Sequence, residues 1–424
     1  MTATAEIGGA RQVVDQGELE AFLAAQLAGF PVDGKSVVLV VPDATRSCPL
    51  PRLMGVVHRQ LIGRVASLTA VIALGTHAYM TPAQIDAWFG VEPGGLAAAY
   101  PGLRVVNHEW KDPANIVRVG RLSAEDIFRL SGGRLSQSVD VEVNRLVAQA
   151  DVSIVIGPVF PHEVVGMSGG NKYFIPGCAT DDIIDLSHWL GALIGIDAII
   201  GQRGITPVRA VIDAAAALIP TERLGLCLVV KSGGDEIEYV AAGPIDAAWA
   251  LASEVAADSH IEYVDQPFRT VVALMPTRYA DMWTAAKGCY KNQPAMADGG
   301  EIIVYAPHVT ALAEQHPAIT DIGYHCIEYF TKQWDRFKDV PAGVLAHSSH
   351  VRGAGTYDPV SGVERDRIRV TLCTGVPRAI VEAANVGYLS PDEIDLDALA
   401  RDPEVFIEPN AGEVLYRLRP ASAA

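Results

Sequence analysis

Residues 157–191 read GPVFPHEVVGMSGGNKYFIPGCATDDIIDLSHWLG and concentrate the reactive side chains of this chain. Gly166, Ser168, Gly169 and Gly170 lead into Lys172. Glycines let backbone amides approach an anion closely, so the loop reads as a phosphate or cofactor cradle. It is not a Walker A loop, because the spacing differs and Tyr173 follows the lysine; a plain turn would use the same glycines. Lys172 sits among Tyr173, Phe174 and Ile175, where desolvation would favour a neutral, nucleophilic amine. His188 falls on a helix opened by Thr180, Asp181 and Asp182, acids that suit a helix N-terminus. Asp185, one turn back, could orient its ring. Three further groups stand just after apolar runs: Asp43 and Arg46, His77, and His162. Histidines so placed serve as acid, base or ligand, or simply pack. Arginine is the usual two-pronged grip on a carboxylate or phosphate, although an Asp-x-x-Arg pair can also staple its own loop.

The elements that must position these groups alternate. Ser36–Val41 and Leu68–Leu74 are near-continuous apolar runs, as strands buried on both faces require. Leu103–Val106, Val152–Ile156 and Leu224–Val230 continue the series. Helical patterns fall between them, at Glu18–Ala28, from about Pro51, and after Thr81, where Pro82 and Gln84 complete a capping box. Such alternation implies an α/β fold, a mostly parallel sheet with helices on both faces. Ligands then bind off the carboxyl ends of the strands, where Asp43, Arg46, His77 and His162 lie.

The pattern restarts near Asp265-Gln266-Pro267. Thr270–Leu274, Glu301–Tyr305, Gly343–Ala346 and Ile368–Cys373 read as strands, and Ala280–Cys289 as a helix. The expected organisation is a cofactor-binding α/β domain over 1–265 and a smaller α/β substrate-side domain over 266–394. Residues 395–424 are expected to return to the first domain through the alternating stretch Val405–Leu418. The active site is expected in the cleft between the two.

Composition narrows the function classes. At 424 residues the chain exceeds one hydrophobic core, and half its residues are apolar. The net charge of −17 disfavours nucleic acid and anionic membranes. The six cysteines form no CxxC pair and read as reduced, buried thiols. The N-terminus lacks the pattern of a secretory signal, and no apolar run is long enough to span a bilayer, so a cytoplasmic location is expected.

PDATR (42–46), ALGTH followed by MT (73–77, 80–81), and PHEVVGMSGGNKYFIPG with a histidine further on together resemble the nickel-pincer lactate racemase family. The resemblance covers the first domain and weakens in the second. It implies a nickel pincer nucleotide: a pyridinium ring with two sulfur-containing arms that hold nickel, on a ribose phosphate. By the same resemblance Lys172 links covalently to one arm, His188 ligates nickel, and His77 and His162 act as acid and base. Arg46 holds the substrate carboxylate, and Asp43 fixes the arginine or the cofactor ribose. Lys287 takes the place of a second-domain lysine. The implied reaction is racemisation or epimerisation of a 2-hydroxy acid by reversible hydride transfer to the cofactor, in a protein dependent on cofactor-biosynthesis enzymes.

The substrate side departs from the lactate pattern. Trp283 and Thr284 replace a Tyr-Gln pair, the loop at Ala306-Pro307-His308 lacks glycines, and Trp334 aligns loosely with a family tryptophan. His347–Arg352 adds polar groups. These departures point away from lactate, toward a longer or hydroxylated acid such as a sugar acid. The alternative is a phosphate- or nucleotide-binding protein using the 166–172 loop.

Overall fold

The computed structural model describes residues 2–420. The chain folds as two compact units. The first takes residues up to Phe160, with Met167–Ile184 and Arg203–Ser259. The second takes Pro161–Gly166, Asp185–Gln202 and the residues from His260 onward. The chain therefore changes unit within 157–191, and the expected boundary near 265 is only one of several crossings.

The first unit is built on a seven-stranded sheet. Its order is Ala5–Gly8, Ile237–Pro244, Glu222–Val230, Val152–Pro158, Ser36–Pro42, Ser67–Ala73, Leu103–Asn107. The last five strands are parallel; Ile237–Pro244 runs antiparallel to Glu222–Val230. Strand alternation sends Val37, Leu39 and Val41 into one core with Leu19, Leu23 and Leu27 of the helix Gln16–Ala28 and Leu53, Val57 and Leu61 of the helix Leu50–Leu61. Val38 and Val40 on the opposite face are buried too. Burial of both faces is why these strands read as continuous apolar runs. The capping box at Thr81 and Gln84 is formed.

The second unit carries a five-stranded parallel sheet: Gly387–Tyr388, Arg369–Thr374, Met296–Ala306, Phe268–Leu274, Val405–Glu408. Two expectations are corrected here. Val405–Glu408 pairs with Phe268–Leu274, and Leu415–Leu418 pairs with Ile261–Val264, so the C-terminal segment completes the second unit instead of returning to the first. Gly343–Ala346 is not a strand but lies in the helix Ala342–Arg352. A short apolar run does not reveal its period, and the helix is set by a distant cap. The Asp185 carboxylate accepts the Ala342 and Gly343 amides at 3.1 and 3.0 Å. A Cβ on residue 343 would fall 2.7 Å from that carboxylate, so glycine is required. The expected helix Ala280–Cys289 is two short turns, Met282–Ala285 and Lys287–Tyr290.

One buried acid makes this unit sensitive to pH. Burial pushes Glu408 up to about 8, against the opposing help of Asn292 and Lys291. Between about pH 4.5 and 8 the folded protein keeps a proton the unfolded chain has lost, so stability falls as pH rises through that window. Glu408→Gln keeps the Asn292 contact without a charge. Its melting temperature should match wild type near pH 5 and exceed it near pH 8. Parallel melting curves for the two proteins would refute this.

Candidate functional site

In the first unit the strands Ser36–Pro42 and Ser67–Ala73 are parallel and in register at Pro42 and Ala73. The residues that follow them, Asp43 and His77, thus emerge at one edge. The Asp43 carboxylate lies 2.6 Å from Nδ1 of His77. Its other oxygen accepts the Thr45 amide at 3.0 Å and the Thr45 hydroxyl at 2.5 Å. Burial opposes ionisation of Asp43, but His77, the Arg46 charge and Thr45 outweigh it and hold the carboxyl well below the usual carboxylate range. An ionised carboxylate at Nδ1 makes that nitrogen the donor, leaving the Nε2 lone pair as the basic position. Arg46 lies over the Phe160 ring at 5.6 Å, and its Nη1 is buried without a hydrogen-bond partner. It does not staple the loop by an ion pair of its own.

The lysine loop is tied to the His77 loop through one residue. The Gly177 carbonyl accepts the Gly75 amide at 2.9 Å, and the Gly177 amide donates to the Lys172 carbonyl at 3.1 Å. A Cβ on residue 177 would fall 2.5 Å from the Tyr173 carbonyl oxygen, so only glycine serves.

The glycine cluster itself differs from a phosphate cradle. The Ser168 amide donates to the Phe160 carbonyl at 2.8 Å. A Cβ at Gly169 would meet Val159 at 2.5 Å, and one at Gly170 would meet Trp249 at 2.8 Å. Close packing therefore accounts for Gly169 and Gly170, and the Ser168 amide is already used.

Sequence reasoning missed what holds this loop. Arg209, fully buried, donates to the Gly169 carbonyl at 3.0 and 3.1 Å, and its guanidinium lies 3.7 Å above the Trp249 ring. Trp249 Nε1 donates to the Ser168 carbonyl at 2.8 Å. Asn171, next to Lys172, donates to Asp213 and Asp246 and accepts from Arg223. Nothing local in the sequence marks these partners, which lie 40 or more positions away.

In the second unit, the His162 Nδ1 accepts the Val164 amide at 3.1 Å and lies 3.4 Å from the Glu163 carboxylate. The Ser187 hydroxyl lies 3.4 Å from Nδ1 of His188. Asp185 caps the helix Ala342–Arg352, the role described above. Trp189 stacks on Trp334 at 5.6 Å, which places Trp334 beside the His188 helix.

The substrate-side candidates separate into two groups. Trp283 is sandwiched between His316 and His347 at 4.1 and 4.0 Å. Lys287 is buried, 4.9 Å from the Tyr279 ring centre, with Nζ 3.4 Å from the Thr284 carbonyl. The other two are engaged locally: the Thr284 hydroxyl donates to Asp281 at 2.9 Å, and His308 Nε2 meets the Tyr279 carbonyl at 3.1 Å. Among the described residues no three His, Cys, Asp or Glu side chains are grouped to hold a metal unaided. No described helix is long and apolar enough to cross a membrane.

A parallel α/β sheet here carries a His–Asp pair, an arginine and a lysine loop beyond its strand ends, the edge at which open sheets bind ligands. Known proteins narrow this reading. Residues 19–195 match the lactate racemase N-terminal domain. The lactate racemase of Thermoanaerobacterium thermosaccharolyticum is 25% identical over 279 residues, which covers 64% of this chain and 60% of that protein. The lactate racemase of Lactiplantibacillus plantarum is 26% identical over 155 residues, covering 36% of this chain and 32% of its own length. The aligned regions thus span less than two thirds of these relatives. A crystal structure of a Thermotoga maritima protein matches with a TM-score of 0.88 and 29% identity, covering 97% of this chain and all of that one. The lactate racemase apoprotein structure from T. thermosaccharolyticum matches with a TM-score of 0.72 and 19% identity, over 97% and 94% of the two chains. Residues 19–195 are thus similar to the N-terminal domain of lactate racemases.

Proposed function

We propose that this protein is a racemase or epimerase of 2-hydroxy acids other than lactate, working with a nickel pincer nucleotide. The observation that carries the reading is Arg46. A guanidinium with a buried, unpartnered Nη1 beside the Asp43–His77 pair is suited to a substrate carboxylate.

The residues present fit the cofactor chemically. Lys172 is a primary amine on a backbone tied at Gly169 and Gly177, suited to a covalent link. His188 supplies one imidazole, a good nickel ligand, to a metal that brings its remaining donors with it. When bound, the group supplies a hydride acceptor and donor for substrate C2. Arg46 holds the carboxylate and fixes C2. His77, with Nδ1 engaged by Asp43, takes the hydroxyl proton at Nε2 and returns it. His162 does the same for the mirror-image substrate, whose hydroxyl points another way. Lys287 adds a positive charge on the substrate side. Trp283 and Thr284 stand where the lactate enzymes have a Tyr-Gln pair, which is the reason for setting lactate aside.

The test is stereochemical. Cofactor-loaded protein should interconvert the two hands of at least one 2-hydroxy acid faster than those of lactate. Retention of configuration across lactate, 2-hydroxybutyrate, malate, glycerate and gluconate would sink the proposal.

A further inference from the structure

Tyr324 and His347 lie side by side in the second unit, with ring centres 5.8 Å apart and ring planes at 61°. Tyr324 is fully buried and His347 is 6% exposed. The Tyr324 hydroxyl and the His347 Nε2 are both buried without a hydrogen-bond partner. The other ring nitrogen of His347 is used, since the Tyr290 hydroxyl lies 2.8 Å from Nδ1. One face of the His347 ring is covered by Trp283. Its orientation is thus held by two neighbours while the buried Nε2 has no hydrogen-bond partner.

A buried hydroxyl or imidazole nitrogen left unmade costs stability, so such groups persist where something outside the chain completes them. Two of them stand together here, beside Trp283 and in electrostatic reach of Lys287.

We infer that Tyr324 and His347 form a subsite for the hydroxylated tail of the substrate, making the favoured 2-hydroxy acid a polyhydroxy acid. The inference rests on the function proposed above and deepens it. A phenol and a neutral imidazole can each donate or accept one hydrogen bond, as a hydroxyl can. Burial, then His350, His316, Lys287 and His188, hold His347 in its neutral form, which suits a hydroxyl better than a second carboxylate.

The experiment measures binding by calorimetry to the cofactor-loaded protein, with three acids that share the 2-hydroxy acid head. 2-Hydroxybutyrate has an apolar tail, malate a carboxylate tail, and gluconate a hydroxylated one. Wild type should bind gluconate most tightly. Tyr324→Phe removes only the unpartnered oxygen. It should leave the melting temperature unchanged or raised, weaken gluconate roughly five- to tenfold, and leave 2-hydroxybutyrate unaffected. His347→Gln should weaken gluconate similarly. Stability and affinity moving in opposite directions in Tyr324→Phe is a signature that a merely structural tyrosine would not produce. The subsite is overturned if tail preference survives Tyr324→Phe, or if malate binds more tightly than gluconate. Binding of 2-hydroxy acids with no tail preference overturns the subsite alone. No binding by any of them overturns the subsite and the proposed function together.

Discussion

Lys172→Ala is expected to abolish covalent loading and to lower racemisation at least 10³-fold. Protein produced together with the cofactor-making enzymes should carry an added mass that maps to Lys172, and the alanine variant should lack it. The size of the effect follows from what the amine contributes. A covalent link replaces a bimolecular encounter by permanent placement, worth several kcal/mol when the geometry is held. Here the geometry is held from both sides, because the Lys172 amide donates to Gly169 and its carbonyl accepts from Gly177. The side chain makes no part of the hydrophobic core, so the variant should fold and melt close to wild type. An unchanged adduct, or full activity without one, would show that the lysine has been misassigned.

The second large effect is expected at Asp43. Asparagine can still accept from the Thr45 amide and hydroxyl through its oxygen, as Asp43 does at 3.0 and 2.5 Å. Its other arm then presents an N–H to Nδ1 of His77 in place of a carboxylate oxygen. The imidazole must accept at Nδ1, which moves its proton to Nε2 and removes the lone pair needed for base action. The same tautomer error in a Ser-His-Asp hydrolase costs about 10⁴ in kcat. We expect kcat to fall about 10³–10⁴-fold in Asp43→Asn, with KM changed far less because Arg46 is untouched. A loss confined to KM would show instead that Asp43 serves binding. There is a stability counterpart. Asp43 titrates below its unfolded value, so its contribution is present above about pH 4 and is lost on acidification through the folded pKa.

Residues within one local stretch were legible. Apolar runs located the strands, because a sheet buried on both faces leaves no polar alternation. The residues after two of these runs, Asp43 and His77, are in contact at one edge of the sheet. What failed had distant causes. Gly343–Ala346 looks like a strand because the carboxylate that caps its helix is Asp185, more than 150 positions away. That same Asp185, three residues before His188, is the cap of this other helix. Thr284 and His308 had the right chemistry and local partners that occupy it.

The chain by itself determined the α/β class, the strand ends that carry Asp43, Arg46 and His77, and the motif order that resembles the lactate racemase family. These depend on side-chain period and short-range order, which the sequence records directly. Only the tertiary structure decided that Gly169 and Gly170 serve close packing, that Arg209 and Trp249 hold the Lys172 loop, and that the C-terminal strands complete the second unit. It also decided that Tyr324 and His347 stand together with unmet hydrogen bonds. These facts depend on contacts between residues far apart in the chain, where no local pattern records which side chain will arrive.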